Sequence, residues 1–248
     1  MNTHENRIAV VTGAARGIGQ AVAVGLAARG ASVVGVDLAE ADETRALVEA
    51  CGGQWLGIVA DVSFPSDVAR VAQQALARFG RCDILVNNAG VFPACAFEEL
   101  SFEAWRKVFG INLDSQFLMS KAFVPSMKEG GWGRIVNFTS GSVQLVTENM
   151  AAYKSSKMGV IGLTRAMSAD LGKYGITVNA ASPALTRTPG ILSVPSAEDK
   201  LAMMAKLQAI KRVSVPEDVV GLVLFLTGED SHFVTGQTIL ADGGLTYF

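Results

Sequence analysis

Histidine and cysteine are the scarcest reactive side chains in this sequence. There are two histidines, His4 and His232, and three cysteines, Cys51, Cys82 and Cys95, in 248 residues. None stands at a zinc-ligand spacing and HExxH is absent, so metal hydrolysis and histidine-based triads lack their reagents. Three scattered thiols suit a reducing compartment, where they stay free. An excess of one charge is missing too: 21 Lys and Arg stand against 23 Asp and Glu, a formal net charge of −2. That balance gives no basic footprint for nucleic acid. Residues 1–7 are polar and lack the basic start and apolar run of a signal peptide. The longest apolar stretch near the start, residues 21–36, is broken by Arg29, so no run of about 18 residues is available to span a membrane. The expectation is a cytoplasmic protein with no metal, nucleic-acid or membrane partner.

What is present is apolar and alternating. Hydrophobic residues make up 50% of the chain, enough for a core that needs no disulfide or metal staple. Short runs rich in β-branched residues predict strands at 7–12, 32–36, 55–60, 83–86, 134–138, 176–180 and 237–240. Amphipathic stretches between them predict helices at 18–28, 41–50, 65–79, 102–109, 115–128, 151–171 and 216–226, with Pro65 and Pro216 at two helix starts. Solid apolar strands alternating with helices imply an α/β fold. We expect a single domain over residues 1–248, with a Rossmann-like, doubly wound parallel sheet of seven strands and helices on both faces. Only residues 185–211 break the rhythm, with Pro189, Gly190 and Pro195 followed by Met203, Met204 and Leu207. An insertion after a strand's C-terminal end is where a substrate lid belongs.

The first strand runs into Thr12-Gly13-Ala14-Ala15-Arg16-Gly17-Ile18-Gly19 and then a helix. Gly13, Gly17 and Gly19 let the backbone turn sharply and approach a pyrophosphate, and the helix start supplies free N–H groups and a partial positive charge. The spacing is G-x-x-x-G-x-G rather than G-x-G-x-x-G. Asp37 ends the second strand, where a carboxylate accepts hydrogen bonds from ribose hydroxyls and repels a 2′-phosphate. Together these predict NAD as the cofactor. Arg16, beside the turn, is the residue that could instead pair with a phosphate.

Further segments follow in a familiar order. Asp61-Val62 comes after the third strand and Asn87-Asn88-Ala89-Gly90 after the fourth. Asn112 lies between two helices, Ser140 ends the fifth strand, and Tyr153-Lys154-Ser155-Ser156-Lys157 opens the longest helix. With TGAARGIG, this set resembles the short-chain dehydrogenase/reductase family over essentially the whole chain. Within the family, the stretch 79–139 is similar to NAD-dependent dehydrogenases of the 1-phenylethanol type. The segments NMAAY, GVIGLTRA and LGKYGIT are similar to pyridoxal 4-dehydrogenases. The resemblance implies cofactor contacts at Gly13, Arg16, Gly17, Ile18, Gly19, Asp37, Asp61, Val62, Asn88, Ala89, Gly90, Tyr153, Lys157, Pro183, Leu185 and Thr188. Thr188 corresponds to the residue that anchors the nicotinamide carboxamide. It also implies a homotetramer, and a catalytic set of Asn112, Ser140, Tyr153 and Lys157 in which Asn112 supports a water-linked proton path through the lysine. The chain departs from the family at Pro183-Ala184, where Pro-Gly is usual. Alanine lacks glycine's access to positive φ, so a local backbone difference is expected there.

The catalytic set can also be argued from the residues. Tyr153 and Lys157 are four apart and share a helix face. A phenol titrates near pH 10, and an ammonium one turn away stabilises the phenolate and lowers that value. Ser140 could hold the substrate oxygen as its charge changes. The expected reaction moves a hydride between nicotinamide and a secondary alcohol or ketone, with Tyr153 handling the hydroxyl proton. Substrate walls are expected from Phe92, Pro93, Ser140, Ser142, Gln144, Leu145, Met150 and Tyr153. Leu185, Ile191, Leu192, Met203 and Met204 join them from the insertion. These are mostly apolar, which predicts an aromatic or bulky apolar substrate. No arginine falls within residues 142–150, and Arg187 is the nearest cation in sequence that could hold an acidic substrate. Two rival readings are a 3-oxoacyl-carrier-protein reductase and a non-catalytic NAD-sensing scaffold. The first is weakened because Gly131 and Tyr174 stand where carrier-docking relatives have arginines, although Lys206, Lys211 and Arg212 could supply charge. The second is weakened because both Tyr153 and Lys157 are present. Phe117, Leu118, Met119, Phe123 and Val124, with Val160, Ile161, Leu163 and Met167, cannot all face one sheet, so the helices at 115–128 and 151–171 are expected to form a dimer interface.

Overall fold

The computed structural model describes residues 3–247; Met1, Asn2 and Phe248 lie outside it, so the sequence reading of 1–7 is met only from Thr3 onward. Seven parallel strands form one sheet: β1 (Ile8–Thr12), β2 (Ser32–Asp37), β3 (Trp55–Val59), β4 (Ile84–Asn87), β5 (Gly133–Phe138), β6 (Ile176–Pro183) and β7 (Thr238–Ala241). Their order across the sheet is β3-β2-β1-β4-β5-β6-β7. The chain therefore winds outward from β1 in one direction and then, from β4, in the other. Both β2 and β4 pair with β1, and the crevice beyond the C-terminal ends of β1 and β4 is the switch point where α/β sheets bind ligands.

Strand periodicity divides the core in two. Ala9 and Val11 face a cluster with Val33 of β2, Leu26 of α1 (Gly17–Ala27), and Val219 and Val223 of a helix near the C-terminus at Glu217–Thr227. Val10, one residue out of phase, faces Val34, Val71, Leu85, Met119 and Phe123 on the other side. Every residue of β1, β5 and β6 is buried, so none of these strands shows the in–out alternation of a half-exposed sheet.

The remaining helices in chain order are α2 (Asp42–Ala50), α3 (Pro65–Phe79), α4 (Phe102–Phe109), α5 (Ser115–Glu129), α6 (Ala151–Leu171), α7 (Pro189–Leu192) and α8 (Ala197–Leu207), and the C-terminal helix is α9. Proline opens α3, and Gly80, in the left-handed region at φ 78°, ends it. Ser101 caps α4 by accepting the Ala104 N–H at 3.1 Å. The expected gap between α4 and α5 is instead a π-helical turn, Gly110–Asp114, that makes them one continuous rod and carries Asn112 inward. The insertion folds into α7 and α8. It is clipped at both ends, by the Thr186–Ser214 bridge and by Ile210 N–H donating to the Gly243 carbonyl at 2.8 Å. Among the described residues, no helix is long and apolar enough to cross a membrane.

Candidate active site

The glycine turn sits at the switch point. Gly13 and Gly17 take φ of +67° and +64°. A Cβ on Gly19 would lie 2.0 Å from the Gly13 carbonyl oxygen and 2.6 Å from Asn88 Nδ2, so only glycine fits there. Asn88 clamps the turn from the end of β4: its Nδ2 donates to the Thr12 and Gly13 carbonyls at 2.9 and 3.2 Å. The Thr12 hydroxyl accepts the Asn88 and Ala89 N–H groups, both at 3.0 Å. Thr12 is thus a site residue that sequence reasoning passed over although it opens the motif. Asp37 Oδ2 accepts the Ala15 N–H at 2.9 Å and Oδ1 the Leu38 N–H at 2.7 Å, so the carboxylate fastens the turn before it meets any ligand. At the start of α1, Arg16 is exposed and extended, and no side chain caps the helix. Its first N–H groups are therefore left to a ligand, and with the glycine cradle they fit a dinucleotide's pyrophosphate.

The other expected cofactor residues fall around this crevice. Ile18 packs on the core and Val62 is buried in it. Asp61 Oδ1 accepts from the Ser63 N–H and hydroxyl at 2.9 and 2.6 Å. A Cβ on Gly90 would lie 3.2 Å from Asn112 Oδ1 and 3.4 Å from Lys157 Nζ, so this glycine borders both. A Cβ on Gly17 would lie 3.2 Å from the Thr188 methyl, which brings the insertion onto the glycine turn. Thr188 caps α7, its hydroxyl accepting the Ile191 N–H at 3.3 Å. Pro183 ends β6 and Leu185 is half-buried. Ala184 takes no positive φ: among the described residues only Asn6, Asn149 and Ser196 do so without being glycine. The position therefore does not call on glycine's access to positive φ.

At the chemical end, Tyr153 and Lys157 emerge from the first turns of α6, and Ser140 from the end of β5. Lys157 is 4% exposed and donates to the Phe138 carbonyl at 2.8 Å; burial lowers its pKa to about 8. Tyr153 behaves differently from the sequence expectation. Burial pushes its phenol above the ordinary value, and the hydrogen-bonding Ser140 hydroxyl pulls the other way. The Lys157 ammonium is turned to the Phe138 carbonyl and stands 6.0 Å from the Tyr153 ring centroid. Asn112, fully buried, is locked by both amide ends. Its Oδ1 accepts the Val91 N–H at 2.8 Å, and its Nδ2 donates to the Val91 carbonyl at 2.9 Å and the Ser156 hydroxyl at 3.1 Å. The Ser156 hydroxyl donates in turn to the Tyr153 carbonyl at 2.7 Å, so Ser156 ties Asn112 to α6. Thr139 anchors the same helix by donating to the Lys157 carbonyl at 2.8 Å. Both links were missed because a Ser or Thr beside a motif carries no signal of its own.

Three segments stand around Tyr153. Phe92 meets its ring edge-on, centroids 6.5 Å apart at 76°, and lies against Gly190 of α7. Ser140 caps the short turn Gly141–Gln144, accepting the Ser142 N–H at 3.2 Å. Lys154 ties the end of that turn to α6 by donating to the Leu145 carbonyl, and Met150 heads the helix. Cys95 N–H donates to the Asn149 carbonyl at 2.8 Å, joining the Phe92 loop to the residue before Met150. Pro93, Leu192 and Met203 are exposed, whereas Ile191 and Met204 are half-buried. Arg187 is held by Glu198 of α8 in a two-pronged ion pair at 2.7 and 2.6 Å.

A family model described as enoyl-(acyl carrier protein) reductase matches residues 13–246. The chain is 39% identical over 247 residues to the (2S)-[(R)-hydroxy(phenyl)methyl]succinyl-CoA dehydrogenase subunit BbsD of Thauera aromatica, covering 98% of each. It is 35% identical over 248 residues to the cyclohexanol dehydrogenase of Acinetobacter sp. (strain SE19), covering 99% of this chain and 97% of the relative. The crystal structure of levodione reductase superposes with a TM-score of 0.92 at 31% identity, covering 97% of each chain.

Proposed function

The chain belongs to the short-chain dehydrogenase/reductase family, and from that premise we propose that it is an NAD(H)-dependent secondary-alcohol dehydrogenase that also runs as a ketone reductase. The observation that carries this reading is the meeting of Tyr153, Ser140 and Lys157 beside a glycine turn shaped for a dinucleotide. When bound, the nicotinamide supplies a hydride acceptor or donor for the carbinol carbon. The chain's own residues do the rest. Tyr153 takes or returns the hydroxyl proton. Ser140 holds the substrate oxygen. Lys157 holds the nicotinamide ribose and supports the phenolate, and Asn112 positions the proton path behind it. Gly13, Arg16, Gly17, Ile18, Gly19, Asp37, Asp61, Val62, Asn88, Ala89, Gly90, Pro183, Leu185 and Thr188 line the cofactor's course. Asp37 selects NAD through its charge.

The substrate in this reading carries a ring or bulky apolar group beside the carbinol. The edge-on contact of Phe92 with Tyr153 supplies an apolar wall, and Glu198 occupies the guanidinium that would recruit an acid. The name of one relative, a cyclohexanol dehydrogenase, agrees, and that of another places a phenyl group on the carbinol carbon of a succinyl-CoA. The fold acts as one domain in which residues 185–211 form a lid over Phe92 and the glycine turn. The protein works in the cytoplasm as a homotetramer built partly on α5 and α6. A groove of about 570 Å³ lined by Leu113, Phe117, Leu118, Gly159 and Leu163 supports that face, and a single-subunit sedimentation mass at micromolar concentration would overturn it.

The test is Tyr153→Phe with 1-phenylethanol and cyclohexanol as substrates. NAD affinity should stay within about twofold while turnover falls by about 10²–10⁴. Retention of more than about a tenth of the rate would remove Tyr153 from the acid–base role. A preference in kcat/KM for hydroxy acids of equal size, lost in Arg187→Ala, would overturn the apolar pocket.

A further inference from the structure

Gln116 is a buried amide with no part in the reaction above. It is 1% exposed in the first turn of α5, directly after the π turn that carries Asn112 inward. Burying an amide is unfavourable unless its hydrogen bonds are made. Here Nε2 makes two. It donates to the Asn112 carbonyl at 3.0 Å and to the Phe138 carbonyl at 3.3 Å. Both partners are acceptors, so the NH2 end of the amide must be the one that faces them. The Phe138 oxygen is the same one that Lys157 Nζ holds, at 2.8 Å. The pairing of β4 with β5 stops one residue earlier, at Asn87 and Asn137, and side chains take over from there. The Asn112 side chain makes no such link to the lysine, because its hydrogen bonds go to Val91 and Ser156.

From this shared carbonyl we propose that Gln116 is a positioning residue for Lys157: it occupies part of the Phe138 oxygen and so keeps the ammonium free to turn toward the Tyr153 phenol. The inference rests on the alcohol-dehydrogenase reading and adds one residue to its proton machinery. Two donors on one carbonyl oxygen compete, because each proton draws on the same electron density and repels the other. Without Gln116 the oxygen would belong to Lys157 alone. The ammonium would bind it more tightly, lose its proton at higher pH and support the phenolate less. Lys157 is 4% exposed and burial alone lowers its pKa to about 8, so no charged side chain sets its behaviour. Around the ammonium stand Gly90, the Phe138 carbonyl and Tyr153, of which only Tyr153 titrates. In so dry a setting a change at the Phe138 oxygen passes to the lysine unscreened.

The experiment uses the full-length protein as wild type, Gln116→Met, Gln116→Glu and Ser115→Ala. Methionine keeps the length of glutamine and removes both bonds. Ser115→Ala removes a neighbouring bond of the same turn, from the Ser115 hydroxyl to the Ile111 carbonyl at 2.6 Å, that does not reach Lys157. The lysine is followed by NMR of protein labelled at lysine Cε, with its signal assigned by loss in Lys157→Met. In Gln116→Met the Lys157 titration should move to higher pH. With NAD and 1-phenylethanol or cyclohexanol, kcat near pH 7 should fall about three- to tenfold while KM for the alcohol stays within about twofold. The rising limb of the kcat profile should move to higher pH with it. Gln116→Glu sets a carboxylate near the ammonium and should move the titration up further. Ser115→Ala should leave the lysine titration and the profile in place, whatever it does to the melting temperature. A Gln116→Met titration that stays with wild type or moves down, an unchanged kcat, or a shift matched by Ser115→Ala overturns the inference and leaves the dehydrogenase reading intact. Should Gln116→Met fail to fold, an unmoved lysine in Gln116→Glu overturns it equally. A wild type that oxidises neither alcohol overturns that reading, and with it the role of Gln116 in turnover.

Discussion

Lys157 should cost the protein stability, and its removal should make that visible. In an unfolded chain a lysine titrates near pH 10.4. Burial in the folded protein lowers Lys157 to about 8. Between those values the unfolded chain binds more protons than the folded one, so stability rises with pH across the window, and below about pH 8 the full cost is present. Roughly two and a half pH units correspond to about 3 kcal/mol. The side chain is 4% exposed, so solvent does not screen this away. Lys157→Met keeps the length and removes the charge. It also forfeits the bond to the Phe138 carbonyl, worth about 1 kcal/mol for a neutral donor. That oxygen keeps Gln116 Nε2 at 3.3 Å and is not orphaned. The balance at pH 7 is about 2 kcal/mol in favour of the variant, or roughly 4–8 °C in melting temperature for a chain of this size. The advantage should shrink to nothing or reverse by about pH 10.5, while turnover is lost at every pH. Paired thermal unfolding of wild type and variant at pH 7 and pH 10.5 reads it directly. A variant that melts below wild type at pH 7, or a difference that does not move with pH, refutes the argument.

Two further outcomes test the nucleotide end. Gly19→Ala places a methyl 2.0 Å from the Gly13 oxygen, so it should destabilise the fold by about 2–4 kcal/mol and abolish NAD binding in a calorimetric titration. Gly172→Ala, helical at φ −54° and with open space around its Cβ, should instead add roughly 0.4–1 kcal/mol. Asp37→Asn keeps an acceptor for the Ala15 N–H but loses the charge, so NADP affinity should gain about tenfold on NAD with little change in melting temperature. Unaltered discrimination would shift the selectivity to Arg16.

The strands are legible because the central ones are buried on both faces and are rich in Val and Ile, and the glycine turn because steric necessity at Gly19 leaves no alternative residue. The proposed catalytic quartet is legible only as a set, since Tyr153 and Lys157 are separated by one helical turn but Ser140 and Asn112 arrive from other elements. What the sequence could not carry was direction. A lysine four residues from a tyrosine can turn to the phenol or to a carbonyl, and Lys157 donates to the Phe138 oxygen, while burial, which spacing does not encode, raises the Tyr153 phenol. The insertion was found by its broken periodicity, yet α7 and α8 were not, because α7 is a single turn and α8 leaves Met203 and Leu207 exposed. The π turn at Gly110–Asp114 has no compositional mark at all.

The two ends of the cleft obey opposite energetics. At the glycine turn, Asp37, Asn88 and Thr12 spend their polar atoms on the backbone itself, so the phosphate cradle is held in shape by satisfied hydrogen bonds before a ligand arrives. Such preorganisation lowers the ordering cost of binding. At the chemical end, a buried ammonium and an unpartnered amide oxygen at Gln144 are each less favourable folded than solvated. A structure tolerates such groups where a ligand's charge and hydrogen bonds relieve them. Substitutions at the first end should therefore lose stability and binding together, whereas those at the second should trade activity for stability. Lys157→Met and Gly19→Ala separate the two cases because one is expected to raise the melting temperature and the other to lower it.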